Sequence, residues 1–264
     1  MRQRYLPTVM NNHLGLQGLR VLNTRPYPAI KELSAQIRTA GGQSIEFPLI
    51  AIEALNNWVA TLPALITIDV AIFLSPNAVN YFFSTLSAQN ILWSPTTTVI
   101  AIGEGSAKAL RNWQIAVDLI PTIADSEHLL ALSILQAVQN KTILICKGDD
   151  GRPLLSEILT KRGANLKITA VYKRVMPKIR RQYLTSLICG DKVDIILFTN
   201  KQAIDHMWFI LGRQKIIFST PCLVLSTRLA NYAAKMGMQK IIISNYNEIL
   251  TTLKSFKQGL NYGK

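Results

Sequence analysis

The stretch Phe73-Leu74-Ser75-Pro76-Asn77-Ala78-Val79 ends one apolar run, "VAIFL", and opens an amphipathic one, "NYFFSTL". A strand that stops here and continues as a helix needs a cap for the free N–H groups of the first turn, and Ser75 or Asn77 can supply it. The corner returns at Phe198-Thr199-Asn200-Lys201-Gln202-Ala203-Ile204, followed by "DHMWFIL". Val79, Phe82, Phe83 and Leu86 match Ile204, Met207, Trp208 and Leu211, each at an offset of 125.

The surrounding chain alternates in the same way. Extended runs are read at "LRVLNT" (19–24), "SIEFPLIAIE" (44–53), "TVIAIG" (98–103), "QIAVDLIP" (114–121), "TILIC" (142–146), "LKITAVYKRVMP" (166–177), "CLVLS" (222–226) and "QKIIISN" (239–245). Between them apolar residues recur at helical spacing: Ile30, Leu33 and Ile37; Ala107 and Leu110; Leu155 and Leu159; Ala230 and Ala233. "SEHLLALSILQAV" reads as a helix opened by Ser126, and "NEILTTLKSF" as a closing helix. Gly41, Gly163 and Gly237 stand where helices stop. Leu33, Ile37 and Gly41 match Leu155, Leu159 and Gly163 at offset 122; Ala107 and Leu119 match Ala230 and Ile242 at offset 123. Offsets this steady imply two α/β units of about 120 residues, each with a parallel sheet covered by helices on both faces.

Of the 264 residues, 49% are hydrophobic and 17% charged, which excludes a disordered chain. The longest apolar stretch, Leu62 to Leu74, is too short to span a bilayer and contains Asp69. The opening "MRQRYLPTVMNNH" has two arginines and no apolar core of a secretory signal; it is read as a loose extension, like the tail "KQGLNYGK". Cys146, Cys189 and Cys222 have no CxxC spacing and no histidine cluster, so all three are expected as buried reduced thiols of a cytoplasmic protein. With only His13, His128 and His206, neither a histidine-based triad nor a zinc site is supported.

The net charge is +14 and unevenly placed. Residues 1–49 hold six Lys/Arg against two Asp/Glu (+4), 50–140 two against six (−4), 141–181 eleven against three (+8), and 182–264 ten against four (+6). Such a balance suits nucleic acid, anionic lipid or a polycarboxylate ligand. No aromatic RNA-binding motif and no Cys/His finger accompanies it, so nucleic acid is not expected. "IGEGSA" (102–107) has Lys108 where a dinucleotide loop wants Gly or Ala, and "KGDDGR" (147–152) lacks the ending of a P-loop. In open α/β sheets ligands sit beyond the carboxyl ends of the strands, and both quoted corners lie there, where helix N-termini attract anions.

Thr24-Arg25-Pro26, "FLSPNAV", "AIGEGSAKAL", "KGDDGRPLLSEIL" with "RGA", "VYKRVMP" and a closing strand–helix pair, in that order, resemble the uroporphyrinogen-III synthase family over about residues 19 to 256. The resemblance implies two flavodoxin-like parallel-sheet domains joined by a two-stranded linker. Domain 1 would be 1–47 plus 177–264, domain 2 would be 50–172, and the linker strands would lie near 44–53 and 166–177. It also implies a lyase that cyclises hydroxymethylbilane to uroporphyrinogen III, with loss of water and inversion of ring D, on the way to haem. No metal or organic cofactor is implied, the working form is a monomer, and the basic face is a candidate for transient contact with the preceding enzyme. In that chemistry the bilane loses its hydroxyl to give an azafulvene cation. Ring D attacks through its substituted carbon, and the resulting spiro intermediate reopens and recloses. Ring closure also occurs without enzyme, so holding the chain in one fold is the main catalytic task.

Carried onto this chain, the resemblance makes Tyr172 the candidate proton donor to the departing hydroxyl. Candidate substrate contacts are Arg25, Ser75, Asn77, Gly103, Ser106, Gly151, Arg152, Asn200 and Ser226. The plain alternatives are a strand-end arginine for Arg25, helix caps for Ser75 and Asn200, a tight turn for Gly151-Arg152 and a half-buried strand tyrosine for Tyr172. The chain departs from the family pattern at Asn200 and Lys201, where serine is common, and at Leu229, which stands at the repeat position of Ser106. These departures keep a second reading open: a family member, or a two-domain anion- or tetrapyrrole-binding protein, without catalysis.

Overall fold

The computed structural model describes residues 15–151, 153–212 and 218–262. The extension read over residues 1–13, the last two residues of the tail and Arg152 lie outside them. The chain divides into two compact units, the described residues up to Ala51 together with those from Met176 onward, and Ile52–Val175.

The described strands are β1 (Arg20–Asn23), β2 (Gln43–Glu46), β3 (Ala51–Ala54), β4 (Val70–Phe73), β5 (Thr98–Ala101), β6 (Thr142–Gly148), β7 (Asn165–Val175), β8 (Ile195–Phe198), β9 (Cys222–Val224) and β10 (Ile241–Ile243). One sheet runs β10-β9-β8-β1-β2 and the other β3-β7-β6-β4-β5. The first sheet is parallel throughout, and so is the β7-β6-β4-β5 part of the second. Leu119 adds a single parallel bridge to Ile100. Read from that bridge, Leu119-β5-β4-β6-β7 repeats the order β10-β9-β8-β1-β2. The repeat is therefore permuted: the first unit starts on the strand equivalent to β6, the second, after the edge strand β3, on the strand equivalent to β8. In each sheet the direction of winding reverses at one place, between β1 and β8 and between β6 and β4. Crevices for ligands form at such reversals, beyond the carboxyl ends of the strands.

β4 and β8 are buried at all four positions, as strands covered on both faces must be. On β4, Ala71 and Phe73 pack against Phe82, Phe83 and Trp58, while Val70 and Ile72 pack against Leu155 and Leu159. Each large apolar side chain among them contributes about 1.5–3 kcal/mol by leaving water. Helix Pro76–Ala88 follows because Ser75 caps it, accepting the Ala78 N–H at 3.0 Å, and because Pro76 needs no N–H partner in the first turn. Helix Lys201–Leu211 is built the same way, with Asn200 accepting the Ala203 N–H at 2.9 Å.

Four local readings change. The run expected over 44–53 is two strands in different sheets, broken at Phe47–Ile50, where Pro48 has no N–H for a ladder. "QIAVDLIP" forms one bridge rather than a strand, because the Asp118 carboxylate takes the Val99 N–H at 2.7 Å. The helix at Ser126 spans only Ser126–Leu130 and is capped by Asp125, which accepts the His128 N–H at 2.7 Å. Its C-terminal end is held by Arg162, which donates to the Leu130 and Leu135 carbonyls at 3.0 and 2.8 Å. A helix at Arg181–Cys189, not anticipated, leaves Cys189 exposed. Cys146 and Cys222 are buried, and burial pushes both thiols up, Cys222 to about 12, so neither serves as a nucleophile.

Candidate functional site

In the second unit two of the expected residues, Tyr172 and Ser75, meet beside the winding reversal. The register of β6 against β7 slips between Lys147 and Gly148, so that Gly148 faces Tyr172 and one residue of β7, Val171, is extra. The slip turns consecutive residues Val171 and Tyr172 both into the interior. Tyr172 is 1% exposed. Its hydroxyl lies 3.1 Å from the Ser75 hydroxyl and accepts from Arg174 Nη2 at 3.2 Å. The guanidinium of Arg174 also lies over the Tyr172 ring, 5.6 Å from its centre, and Arg174 Nη1 is held by both Asp150 oxygens at 2.6 and 2.7 Å. Tyr81 stacks against the ring at 6.0 Å.

These contacts allow a directed order of protons. A guanidinium only donates. With Arg174 donating to the phenol oxygen, the phenol proton can be given to Ser75, whose oxygen also accepts the Ala78 N–H. The Ser75 proton is then free to point outward from a half-buried position. Tyr172 itself is closed off from solvent, and Ser75 is its half-buried neighbour. Arg174 was missed in the sequence, although period-two alternation puts it on the same side of β7 as Tyr172.

Around this centre, Asn77 sits half-buried in the first turn of helix Pro76–Ala88. Gly103 is the N-cap of helix Glu104–Asn112, and Ser106 is buried in that helix's first turn. Gly151 is exposed in the turn after β6 at φ +129°, a conformation that favours glycine.

In the first unit Asn200 and Ser226 line one cavity of about 610 Å³, with Lys201, Arg228, Tyr232 and Lys235 on its walls. Ser226 caps helix Thr227–Lys235, accepting the Leu229 N–H at 3.2 Å, so the cavity lies over two helix N-termini. Leu229, 7% exposed, lines the cavity as an apolar side chain, so the Ser106 hydroxyl has no counterpart at that position. The Lys201 ammonium lies 4.7 Å from the centre of the Tyr232 ring. Tyr232 donates to Asp205, and that bond, with burial second, pushes the phenol up to about 12. No Asp or Glu is among the described residues that line the cavity.

Arg25 is elsewhere in the same unit. It follows β1, is 7% exposed, and opens on a second cavity of about 420 Å³ between helix Ala29–Thr39 and the start of helix Ile249–Tyr262. Its Nη2 donates to the Tyr246 hydroxyl at 2.6 Å, with the centre of the Tyr246 ring 4.9 Å from the guanidinium carbon. The described residues give it no carboxylate partner. The structure thus brings Tyr172 together with Ser75, and Asn200 with Ser226, and leaves Arg25 in a separate pocket. Among the described residues no group of His, Cys, Asp and Glu could hold a metal ion, and no helix is long and apolar enough to cross a membrane.

The fold is therefore that of a two-sheet α/β protein with capped corners and, in the first unit, cationic cavities at its strand ends. Comparison with known proteins narrows the class. The family profile described as "Uroporphyrinogen-III synthase HemD" matches residues 31–249. The uroporphyrinogen-III synthase of Escherichia coli (strain K12) is 31% identical over 232 residues, covering 85% of this chain and 94% of that one. That of Salmonella typhimurium is 30% identical over 234 residues, with the same shares covered. A crystal structure of mutant uroporphyrinogen III synthase from Thermus thermophilus shares the fold with a TM-score of 0.63 at 15% identity, over 93% of this chain and 100% of that one. The chain belongs to the uroporphyrinogen-III synthase family.

Proposed function

We propose that the chain cyclises hydroxymethylbilane to uroporphyrinogen III, losing water and inverting ring D, in tetrapyrrole biosynthesis. The observation that carries this reading is the family match over residues 31–249. The site supports it physically. The bilane carries eight carboxylates on a flexible chain, and the first unit offers Lys201, Arg228 and Arg25 at cavities where few acids oppose them. The second unit offers the chain from Arg174 through Tyr172 to Ser75, whose outward proton can assist departure of the hydroxyl as the azafulvene cation forms. As that proton leaves, the phenol proton replaces it, and Arg174 stabilises the oxygen left behind.

The same reading makes the working form a monomer in the cytoplasm, with the chain divided as 1–47 plus 177–264 and 50–172 about a linker. The departure at Asn200 does not count against the catalytic form, because its carboxamide makes the cap that serine would make. The test generates hydroxymethylbilane in situ and separates the oxidised isomers. A protein-dependent excess of uroporphyrin III is expected. Isomer I at the spontaneous level, from folded protein, overturns the proposal.

A further inference from the structure

From the pocket at Arg25, we infer that Tyr246 is a second carboxylate-binding residue of the first unit, with Arg25 as the buried charge that turns its hydroxyl outward. The inference rests on the proposed reaction for the identity of the ligand, a carboxylate arm of a polycarboxylate tetrapyrrole, but not for the existence of the subsite.

Arg25 is more than nine-tenths buried, and its described side-chain partner is a neutral phenol. An ionised group held this way is unfavourable unless something compensates it, and an incoming anion does so. Tyr246 is 55% exposed on a short 3₁₀ turn, Tyr246–Glu248. Its oxygen accepts from Arg25 Nη2, so its own proton must point elsewhere, and no described residue accepts it. A carboxylate in the pocket can take that proton while lying beside the guanidinium, which gives a charge-assisted contact. Leu33, Ile249 and Leu250 supply an apolar floor for the methylenes of the arm, and Gln36 and Asn247 offer further polar contacts. Glu32 is the one acid among the described residues of the wall, exposed in the first turn of its helix. It opposes a second anion and so limits the pocket to a single arm.

The probe is uroporphyrin I, an octacarboxylate whose fluorescence reports binding, measured beside KM and kcat in the isomer assay. Tyr246→Phe keeps the ring over the guanidinium and removes the outward donor. It is expected to raise Kd and KM by about 5-fold with kcat within about 2-fold, the size of one ordinary net hydrogen bond made from an exposed position. Arg25→Gln is expected to raise both by about 10-fold or more. In the Arg25→Gln background, Tyr246→Phe should add nothing. Glu32→Gln should lower Kd by about 2-fold, an effect lost at high salt. Because Arg25 is a buried cation with no described carboxylate partner, Arg25→Gln should change Tm little. Overturning results are Kd and KM within 2-fold for Tyr246→Phe, or a Tm that drops in Arg25→Gln with binding unchanged, which would make the pair a structural strut. If uroporphyrin binding follows the predicted order while no isomer III forms, the subsite stands and the proposed reaction falls.

Discussion

Arg174 and Tyr172 in the second unit, and Arg25 and Tyr246 in the first, are two arginine–tyrosine pairs at the carboxyl ends of two parallel sheets. In each, the guanidinium lies over the ring and donates to the phenol oxygen. Their settings are opposite. Arg174 is neutralised by Asp150 and its tyrosine is 1% exposed; Arg25 has no described carboxylate and its tyrosine is 55% exposed. The first arrangement fixes a hydroxyl chain without adding net charge. The second leaves a charge for a ligand to meet. The repeat does not explain the likeness, because at offset 122 Arg25 corresponds to Lys147, not to Arg174. Similar chemistry has been assembled from different strands.

The largest break in this comparison comes from Gly148. A methyl group there would lie 2.8 Å from Tyr172 Cζ and 3.1 Å from its oxygen, closer than carbon tolerates. Gly148→Ala should cost about 2–3 kcal/mol in urea unfolding, as overpacking of a full interior does. It should also push the phenol off Ser75 and Arg174 and lower the yield of isomer III. Uroporphyrin affinity at the Arg25 pocket should stay within error. A parallel loss of both would mean that the two pairs are not independent.

The two corners sharpen the contrast at a smaller scale. Ser75→Ala and Asn200→Ala each remove a helix cap and should each cost about 1 kcal/mol of stability. Only Ser75→Ala also removes the outward end of the hydroxyl chain, so it should lower kcat well beyond what Asn200→Ala does at matched stability. Asn200→Ser should unfold within about 0.5 kcal/mol of the parent, since both side chains are good caps. If Asn200→Ala lowers kcat as strongly as Ser75→Ala, the assignment of the proton route to the second unit is wrong.

These caps were legible in the sequence because capping is local and the repeat showed it twice. The sheets were legible for a related reason: strands buried on both faces, such as "VAIF" and "IILF", are continuous apolar runs. Arg174 was within reach, two residues from Tyr172, but the bulge that turns Tyr172 inward needs the register of β6 to be seen. Tyr246 was out of reach. It meets Arg25 across 221 residues of sequence, and nothing local in "SNYNE" marks it. The break at Pro48 could have been taken from the lack of an N–H, but the change of sheet that follows it could not. Cys189 was misplaced because its helix, Arg181–Cys189, has no repeat partner to draw attention to it.

The smallest effect concerns the helix that carries Glu32 and Gln36. Glu46, at the end of β2, accepts from Lys31 at 2.9 Å and Arg38 at 2.7 Å, both on helix Ala29–Thr39. Lys31 first, and Arg38 second, hold the Glu46 carboxyl below its ordinary value of 4.5. A carboxylate whose value is lowered by folding stabilises the fold fully above the unfolded value, and the contribution fades as pH falls through the folded one. Glu46→Gln should therefore lower stability slightly at pH 7, by less than about 1 kcal/mol since the cations are exposed, and the two proteins should converge as the pH falls through the lowered folded value of Glu46. Among the described residues no ion pair ties the equivalent helix, Leu154–Lys161, to β7, so this pH dependence belongs to the first unit. Its consequence is functional as well as thermal: with Glu46 protonated, the helix wall of the Arg25 pocket loses its ionic tie to β2 and keeps the Ser34–Ser44 hydroxyl contact at 2.8 Å. Uroporphyrin affinity should then be weaker in Glu46→Gln than in the parent at pH 7, with the gap closing as the pH falls and the parent loses the same tie. One common curve for both proteins would show that the tie has no part in shaping that pocket.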